Sequence, residues 1–199
     1  IDVGSHQGEF ISRFLYYKKI KNFFCFEPNK ILFKKLQNKY KLNKKIKLFD
    51  FALGEKSSNK KLFLSNLSYN STMSSFNKRS NYLKIKNLIL KDQENQKFIT
   101  IQQKTFDQVF KNKNIKNSFL KIDVEGYEYN VLKGASKKIK DAKYILIENQ
   151  FSNQYQNNFD KVKKILFKYN FIMIKSFYYP TFHYRDILFI NKRYKKNRN

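Results

Sequence analysis

The chain has 199 residues, with 42 Lys and Arg against 15 Asp and Glu, which gives a formal net charge of +27. Hydrophobic residues make up 41% of the sequence and aromatic residues 18%, a content that excludes a disordered chain and suits one domain with a full core. A single cysteine, Cys25, excludes an internal disulfide framework, and no apolar run approaches the ~18 residues of a membrane span.

The positive charge is spread along the whole sequence and is not gathered in one segment. A field of this sign attracts anionic partners, but a dedicated nucleic-acid surface requires clustered cations. The abundance of Lys, Asn, Ile, Phe and Tyr is typical of an AT-rich genome. We therefore interpret most Lys residues as solvated surface and expect no specific nucleic-acid partner. No signal peptide is visible, so we expect a cytoplasmic protein.

Strand and helix patterns alternate from the first residue, which predicts an α/β protein with a doubly wound, mostly parallel, Rossmann-like sheet. The opening Ile-Asp-Val-Gly is typical of a strand end, so we expect the true N-terminus to be missing. The main strands are predicted at 1–4, 21–27, 45–53, 117–124 and 142–150, followed by an antiparallel hairpin from 171–179 and 185–193 around Pro180. Helices are predicted at 7–19, 28–40, 105–112, 126–139 and 157–169.

Residues 60–105 fit this alternation less well. Two strand patterns, 60–65 and 98–103, are separated by a polar stretch without the character of a domain linker. We therefore predict an insertion over one end of the sheet, within a single domain of residues 1–192 that is followed by a basic tail at 193–199.

Ligands of such sheets bind beyond the carboxyl ends of the strands, so the residues that follow each strand are the informative ones. After the first strand comes "DVGSHQGEF", in which Gly4 permits a tight turn and Gly8 opens a helix whose N-terminus can receive a carboxylate. Asp2 can accept a hydrogen bond from a ligand ammonium. A glycine turn between strand and helix also needs no ligand, so this loop alone does not decide between the two interpretations.

The second and third strand ends add to this pattern. Glu27, with Pro28 after it, lies about 20 residues past the glycine loop, where an acidic residue commonly binds ribose hydroxyls; a helix-capping carboxylate is the alternative. Asp50 is placed to accept a hydrogen bond from an adenine amino group. Backbone groups near Phe51 and Ala52 are placed to form hydrogen bonds with the edge of the adenine ring. An amino-acid end, a ribose and an adenine together describe S-adenosylmethionine.

The segments "DVGSHQGEF", "FEPN", "FALGE", "LKIDVEGYEYNVLKGA" and "ILIE" resemble the FkbM-type family of S-adenosylmethionine-dependent methyltransferases. The resemblance extends from residue 1 to about residue 151, and its most specific part is "KIDVEGYE" followed by "VLKGA". It implies a class I methyltransferase fold, S-adenosylmethionine as cofactor, and O-methylation of a sugar, polyketide or other small hydroxylated molecule. Many relatives have Ala and Asn where this chain has Ser5 and His6. Both residues lie in the loop expected to bind the cofactor, where His6 either contacts the cofactor or faces solvent in a loop role without catalysis.

The fourth strand end, "KIDVEGYE", carries the candidate catalytic residues. Asp123 is the first candidate for the general base or for the group that orients the acceptor. Glu125 is a candidate for binding an acceptor hydroxyl or for fixing the loop. Lys121 shares a strand face with Asp123 and can pair with it. Glu128 suits the first turn of the following helix, where a negative charge is favoured. Glu148 and His183 are further candidates on the acceptor side.

Other functions stay open at this point. No Cys/His cluster has zinc spacing, and we expect no metal, although Asp123 and Glu148 are a conceivable Mg²⁺ pair. A basic nucleic-acid-associated module and an inactive truncated copy are the alternatives to an enzyme. The sequence "DVEG" stands where nucleic-acid base methyltransferases usually have D/N-P-P-Y/F, which argues against that class.

Overall fold

The structure is a computed structural model that describes residues 1–64, 71–72, 98–150, 159–178 and 184–195. The strands are β1 (Asp2–Val3), β2 (Phe23–Phe26), β3 (Ile46–Phe49), β4 (Ala52–Leu53), β5 (Ser58–Leu64), β6 (Ser71–Thr72), β7 (Phe98–Lys104), β8 (Phe119–Ile122), β9 (Tyr144–Gln150), β10 (Phe171–Tyr178) and β11 (Tyr184–Asn191). The α-helices are α1 (Glu9–Phe14), α2 (Lys30–Tyr40), α3 (Phe106–Val109), α4 (Glu128–Lys133) and α5 (Phe159–Lys168).

Seven of these strands form one sheet in the order β10-β11-β9-β8-β1-β2-β3. Every neighbouring pair from β9 to β3 is parallel, whereas β11 runs antiparallel to both β9 and β10. The predicted mostly parallel α/β sheet with antiparallel closing strands is therefore confirmed. Since β1 lies between β8 and β2, the strand order reverses at β1, and a crevice is expected beyond the carboxyl ends of these three strands.

A second, four-stranded sheet in the order β4-β7-β5-β6 combines β4 with strands of the predicted insertion. Its strands β5 and β7 coincide with the patterns at 60–65 and 98–103. The prediction of one strand over 45–53 was wrong, because β3 ends at Phe49 and β4 pairs with β7 of the second sheet. Between them the chain turns so that the ring of Phe51 contacts those of Phe26 and Phe49, with centroid distances of 5.7 and 5.5 Å.

The main core lies on one face of the large sheet. In β8, Leu120 and Ile122 are fully buried, while Phe119 and Lys121 on the other face are half-buried. Buried side chains of β9, β11, α4 and α5 join the same cluster: Ile145, Ile147, Ile187, Phe189, Val131, Leu132, Val162 and Leu166. Each such side chain contributes about 1.5–3 kcal/mol relative to an exposed one, so this cluster fixes the position of β8.

A smaller cluster joins α1 and α2 to β2 and contains Ile11, Phe23, Cys25, Leu36 and Tyr40. Cys25 is a buried free cysteine, and burial raises the pKa of its thiol to about 12. Several helices are shorter than their apolar patterns, most clearly α4, which ends at Lys133 instead of near residue 139. Among the described helices, none is both long and apolar enough to cross a membrane.

Candidate active site

The loop after β1 lies against the end of β8, and Gly4 is what allows this. The backbone N–H groups of Gly4 and Ser5 donate to the Phe26 carbonyl at 3.1 and 3.0 Å, which ties the loop to β2. Gly4 has a φ of +84°, and a Cβ there would lie 1.9 Å from the Asp123 carbonyl oxygen. Gly4 therefore allows the ends of β1 and β8 to come into contact, and this contact brings the loop next to Asp123.

Gly8, which precedes α1, allows close packing against α2 because it has no side chain. A Cβ on Gly8 would lie 2.9 Å from both Leu36 Cδ2 and Tyr40 Oη, and the Tyr40 hydroxyl donates to the Gly8 carbonyl at 3.1 Å. Packing of α1 against α2 therefore requires glycine at position 8 whether or not the loop binds a ligand. The loop between the two glycines is nevertheless held at the edge of the crevice.

Glu27 fastens that loop to the start of α2. Its Oε2 accepts from the His6 N–H and its Oε1 from the Asn29 N–H, both at 2.9 Å. Burial raises the pKa of Glu27 to about 7, an effect that these two N–H donors partly offset. Helix capping is performed by Asn29, whose side chain accepts from the backbone N–H groups of Ile31 and Leu32. The carboxylate of Glu27 is therefore not itself the cap of α2.

Lys121 bridges the ends of β1 and β8. Its Nζ lies 2.8 Å from Asp123 Oδ2 and 3.7 Å from Asp2 Oδ1. Burial lowers the pKa of Lys121, but the charges of Asp123 and Asp2 outweigh it and raise this pKa overall. Burial raises the pKa of Asp2, whose side chain is 1% exposed, although Lys121 opposes that shift. The predicted pairing of Lys121 with Asp123 is present.

The turn after β8 holds two more acids in different roles. Glu125 has a φ of +49°, a conformation that costs a non-glycine residue of the order of 1 kcal/mol. Burial raises its pKa to about 8, and the nearby charges of Asp123 and Glu148 add to this. Glu128 Oε1 accepts from the N–H groups of Gly126 and Val124 at 3.0 and 3.3 Å, so this carboxylate closes the turn ahead of α4.

A cavity of about 830 Å³ opens at these strand ends. It brings together nine of the predicted site residues: Gly4, Ser5, His6, Glu27, Pro28, Ala52, Lys121, Asp123 and Glu125. Four others lie outside its lining. Asp2 is buried beneath Lys121, Gly8 faces α2, Asp50 is exposed, and Phe51 packs among aromatic rings with Lys104 Nζ 4.4 Å from its ring centroid.

The cavity extends further along the sheet than the strand-end residues indicate. Its wall on β9 and β11 contains Glu148, which the sequence suggested, and Asp186, which it did not. Asp186 was missed because its place depends on the register of the antiparallel pair β9–β11, which a single sequence does not reveal. The candidate base His183 lies outside the described residues. In the described ranges, no group of three or more His, Cys, Asp or Glu side chains is arranged to hold a metal ion.

Comparison with known proteins decides the family of this chain. A family model described as the methyltransferase FkbM domain matches residues 2–173. The chain belongs to the FkbM methyltransferase family. The resemblance noted from "KIDVEGYE" and the other strand-end segments is therefore confirmed. The FkbM match includes β1, β2 and β8, whose ends form the cavity, and it ends within β10.

A solved structure supports the FkbM fold independently. The crystal structure of methyltransferase FkbM from Methylobacillus flagellatus KT has a TM-score of 0.60 and 17% sequence identity to this chain. The similarity covers 95% of this chain and 42% of that chain, so the FkbM domain described here spans less than half of that protein. At this identity the likeness concerns the fold alone. A comparison with curated proteins gave no significant match.

Proposed function

We propose that this protein is an S-adenosylmethionine-dependent O-methyltransferase that acts on a hydroxyl group of a small molecule or glycan. The observation that carries the proposal is the cavity, because it joins Glu27 at the end of β2 to Asp123 at the end of β8. Its volume of about 830 Å³ is within the ~300–1,000 Å³ of small-molecule sites. The family membership supports methyl transfer as the chemistry.

The residues present fit the cofactor. Glu27 is 4% exposed yet lines the cavity, and a carboxylate that already accepts two N–H bonds has lone pairs left for two ribose hydroxyls. Ala52 also lines the cavity, and we assign it to the adenine ring. The backbone of Gly4 and Ser5 borders the part nearest Asp123, where the methionine end would lie. When bound, S-adenosylmethionine supplies a methyl group on a positively charged sulfur.

Asp123 is the residue we assign to the acceptor hydroxyl. Transfer makes a bond between the acceptor oxygen and the methyl carbon, breaks the bond from that carbon to sulfur, and releases the hydroxyl proton. Asp123 accepts this proton, and Lys121 fixes the orientation of its carboxylate through the 2.8 Å contact. Glu125, whose pKa is about 8, is protonated at neutral pH and donates a hydrogen bond to the acceptor.

Calorimetric titration with S-adenosylmethionine and with S-adenosylhomocysteine tests the proposal. We expect both to bind the wild-type protein, and Glu27→Gln to weaken binding by about tenfold or more, because hydrogen bonds to charged groups contribute about 1.5–3 kcal/mol. Asp160→Asn is the matched control, since Asp160 is exposed and pairs with Lys163 on its own helix. Absence of binding to the wild-type protein would refute the cofactor assignment.

A further inference from the structure

The loops at the amino ends of the parallel strands form one continuous edge of the large sheet, which we call the amino edge. It consists of six segments: 15–22 before β2, 41–45 before β3, 110–118 before β8, 139–143 before β9, 168–170 before β10, and 192–195 after the antiparallel β11. Backbone N–H groups donate to carbonyl groups of the neighbouring segment or strand along this edge, from Phe23 to Lys45, from Lys143 to Ser118, from Asn191 to Lys143 and from Lys192 to Asn170.

Cations are concentrated on the amino edge. Its six segments contain 15 Lys and Arg among 34 residues, whereas the whole chain contains 42 among 199. Their single acid, Asp141, lies 3.5 Å from Lys138 Nζ and 3.9 Å from Arg193 Nη1, so its charge is compensated. A general abundance of Lys does not account for this higher density. The fold therefore gathers on one edge a positive charge that is spread along the sequence.

The opposite edge of the sheet carries the opposite charge. The segments 4–9, 27–29, 50–51 and 123–128, which follow β1, β2, β3 and β8, contain six acids and no Lys or Arg. Phe119 begins β8 and Asp123 directly follows it, so the two are about 13 Å apart at ~3.3 Å per residue. This distance exceeds the Debye length of about 8 Å at physiological ionic strength. The acids of the cavity therefore do not cancel the field in front of the amino edge.

Three large side chains with apolar surface project from the amino edge into solvent. Tyr16, Tyr17 and Leu42 are 87%, 60% and 88% exposed, and their two loops are neighbours because β2 pairs with β3. Among the described residues, no ion pair involves the exposed lysines of these two loops, which are Lys18, Lys19, Lys21, Lys41, Lys44 and Lys45. Apolar side chains surrounded by lysines are typical of segments that lie in the headgroup region of an anionic bilayer.

Nucleic acid is the other polyanion that a positive edge attracts. Only one of the 15 cations, Arg193, is an arginine, the side chain whose two parallel N–H groups recognise bases and phosphates. Leu42 has no aromatic face on which a base stacks, although bases bind single-strand proteins largely by such stacking. Insertion among lipid headgroups removes the Leu42 side chain from water, so these residues favour a membrane surface over nucleic acid.

We propose that the amino edge binds the surface of a membrane that contains anionic lipids. Tyr16, Tyr17 and Leu42 enter the headgroup region, and the surrounding lysines lie against the lipid phosphates. The cavity is at the opposite edge of the sheet, so a protein bound in this way presents its cavity to the aqueous phase. The inference does not rest on the proposed function, because no residue that lines the cavity belongs to the amino edge.

Co-sedimentation of the full chain with lipid vesicles tests this inference, without any cofactor. Vesicles of phosphatidylcholine alone are compared with vesicles in which about one third of the lipid is phosphatidylglycerol, at about 0.1 M salt. We expect the anionic vesicles to bind about tenfold or more tightly, because each Lys close to such a surface contributes about fivefold. Raising the salt to about 0.5 M should weaken this binding, since it screens the lysine charges.

The triple variant Lys18→Gln/Lys19→Gln/Lys21→Gln should weaken binding to the anionic vesicles by about tenfold or more. The matched control removes the same charge from exposed lysines outside the amino edge: Lys30→Gln/Lys34→Gln/Lys56→Gln. This control should keep most of the binding. Equal binding of the wild-type protein to both kinds of vesicle, or equal losses in the two triple variants, would overturn the inference.

The double variant Tyr16→Ser/Leu42→Ser tests insertion separately from charge. Both side chains are almost fully exposed, so the fold should be kept, while binding to the anionic vesicles should fall by about fivefold or more because less apolar surface leaves water. A short DNA duplex and a single-stranded RNA are titrated in parallel. Tighter binding of either than of the vesicles, lost in the Lys18/Lys19/Lys21 variant but kept in this double variant, would assign the amino edge to nucleic acid and overturn the inference.

Discussion

Lys121 Nζ lies 2.8 Å from Asp123 Oδ2 and 3.7 Å from Asp2 Oδ1, so one ammonium joins the carboxylates at the ends of β1 and β8. Both oxygens of Asp2 have no hydrogen-bond donor among the described residues, and its side chain is 1% exposed. The Lys121 charge is therefore the main compensation for a buried Asp2. The same charge orients Asp123 toward the cavity, which couples the stability of the sheet to the geometry of the site.

Asp123→Asn should reduce methyl transfer by about 10²–10⁴-fold, because the amide cannot take the acceptor proton while it keeps the size of the side chain. Affinity for S-adenosylmethionine should stay within a factor of about three, since Asp123 acts on the acceptor. Release of S-adenosylhomocysteine measures the first effect and calorimetry the second. If the Asp123→Asn variant kept most of the wild-type turnover, Asp123 would not take part in the mechanism.

Lys121→Met should destabilise the protein by about 3 kcal/mol at neutral pH, because it leaves Asp2 charged and uncompensated inside the sheet. The double variant Lys121→Met/Asp2→Asn should recover most of that loss, since it also removes the buried charge. Urea unfolding monitored by circular dichroism measures both. If the double variant were as unstable as the single one, packing of the Lys121 side chain and not its charge would be the cause.

Glu125→Gln should make the stability of the protein less dependent on pH between about 4.5 and 8. Burial, together with Asp123, Glu148, Glu128 and Glu27, raises the pKa of Glu125 to about 8 in the folded state, while the unfolded value is about 4.5. Between these two pH values Glu125 keeps its proton in the folded state but releases it in the unfolded state. The contribution of this proton to the free energy of unfolding is therefore complete below pH 4.5 and is lost by pH 8.

The difference in unfolding free energy between Glu125→Gln and wild type should therefore favour the variant increasingly as pH rises from 5 to 8, and level off above that. Chemical denaturation at five or six pH values measures it, with Asp160→Asn as a control of equal charge change. A difference that is constant with pH would show that Glu125 has an ordinary pKa in the folded protein.

The sequence predicted the main sheet well because its strands are short apolar runs whose β-strand pattern is strong. Buried strands such as β2 and β8 need both faces apolar or half-buried, and that requirement is visible in "FFCF" and "FLKI". The predicted strands also gave the positions of the strand ends, where Glu27 and Asp123 line the cavity, while the roles of both residues stay predictions. Double winding and the domain limit at residue 192 stay predictions.

What the sequence did not reveal depends on contacts between distant segments. Asp186 enters the cavity only through its register with Glu148, and Phe51 turns away from β3 because of ring contacts that no local pattern encodes. The glycines show how one residue can satisfy two requirements. Gly4 meets the Asp123 carbonyl and Gly8 meets Tyr40, so packing already requires glycine at both positions, and their role in binding a ligand stays a prediction.

Glu128→Ala should destabilise the protein by about 1–2 kcal/mol, because it leaves the backbone N–H groups of Val124 and Gly126 without their carboxylate acceptor. Glu128→Gln keeps an oxygen in the same position and should lose less than half as much. Since these N–H groups shape the turn that holds Glu125, the Ala variant should also reduce methyl transfer more than the Gln variant does. Thermal unfolding and release of S-adenosylhomocysteine measure the two effects, and equal losses in both variants would assign the role of Glu128 to its charge instead of its hydrogen bonds.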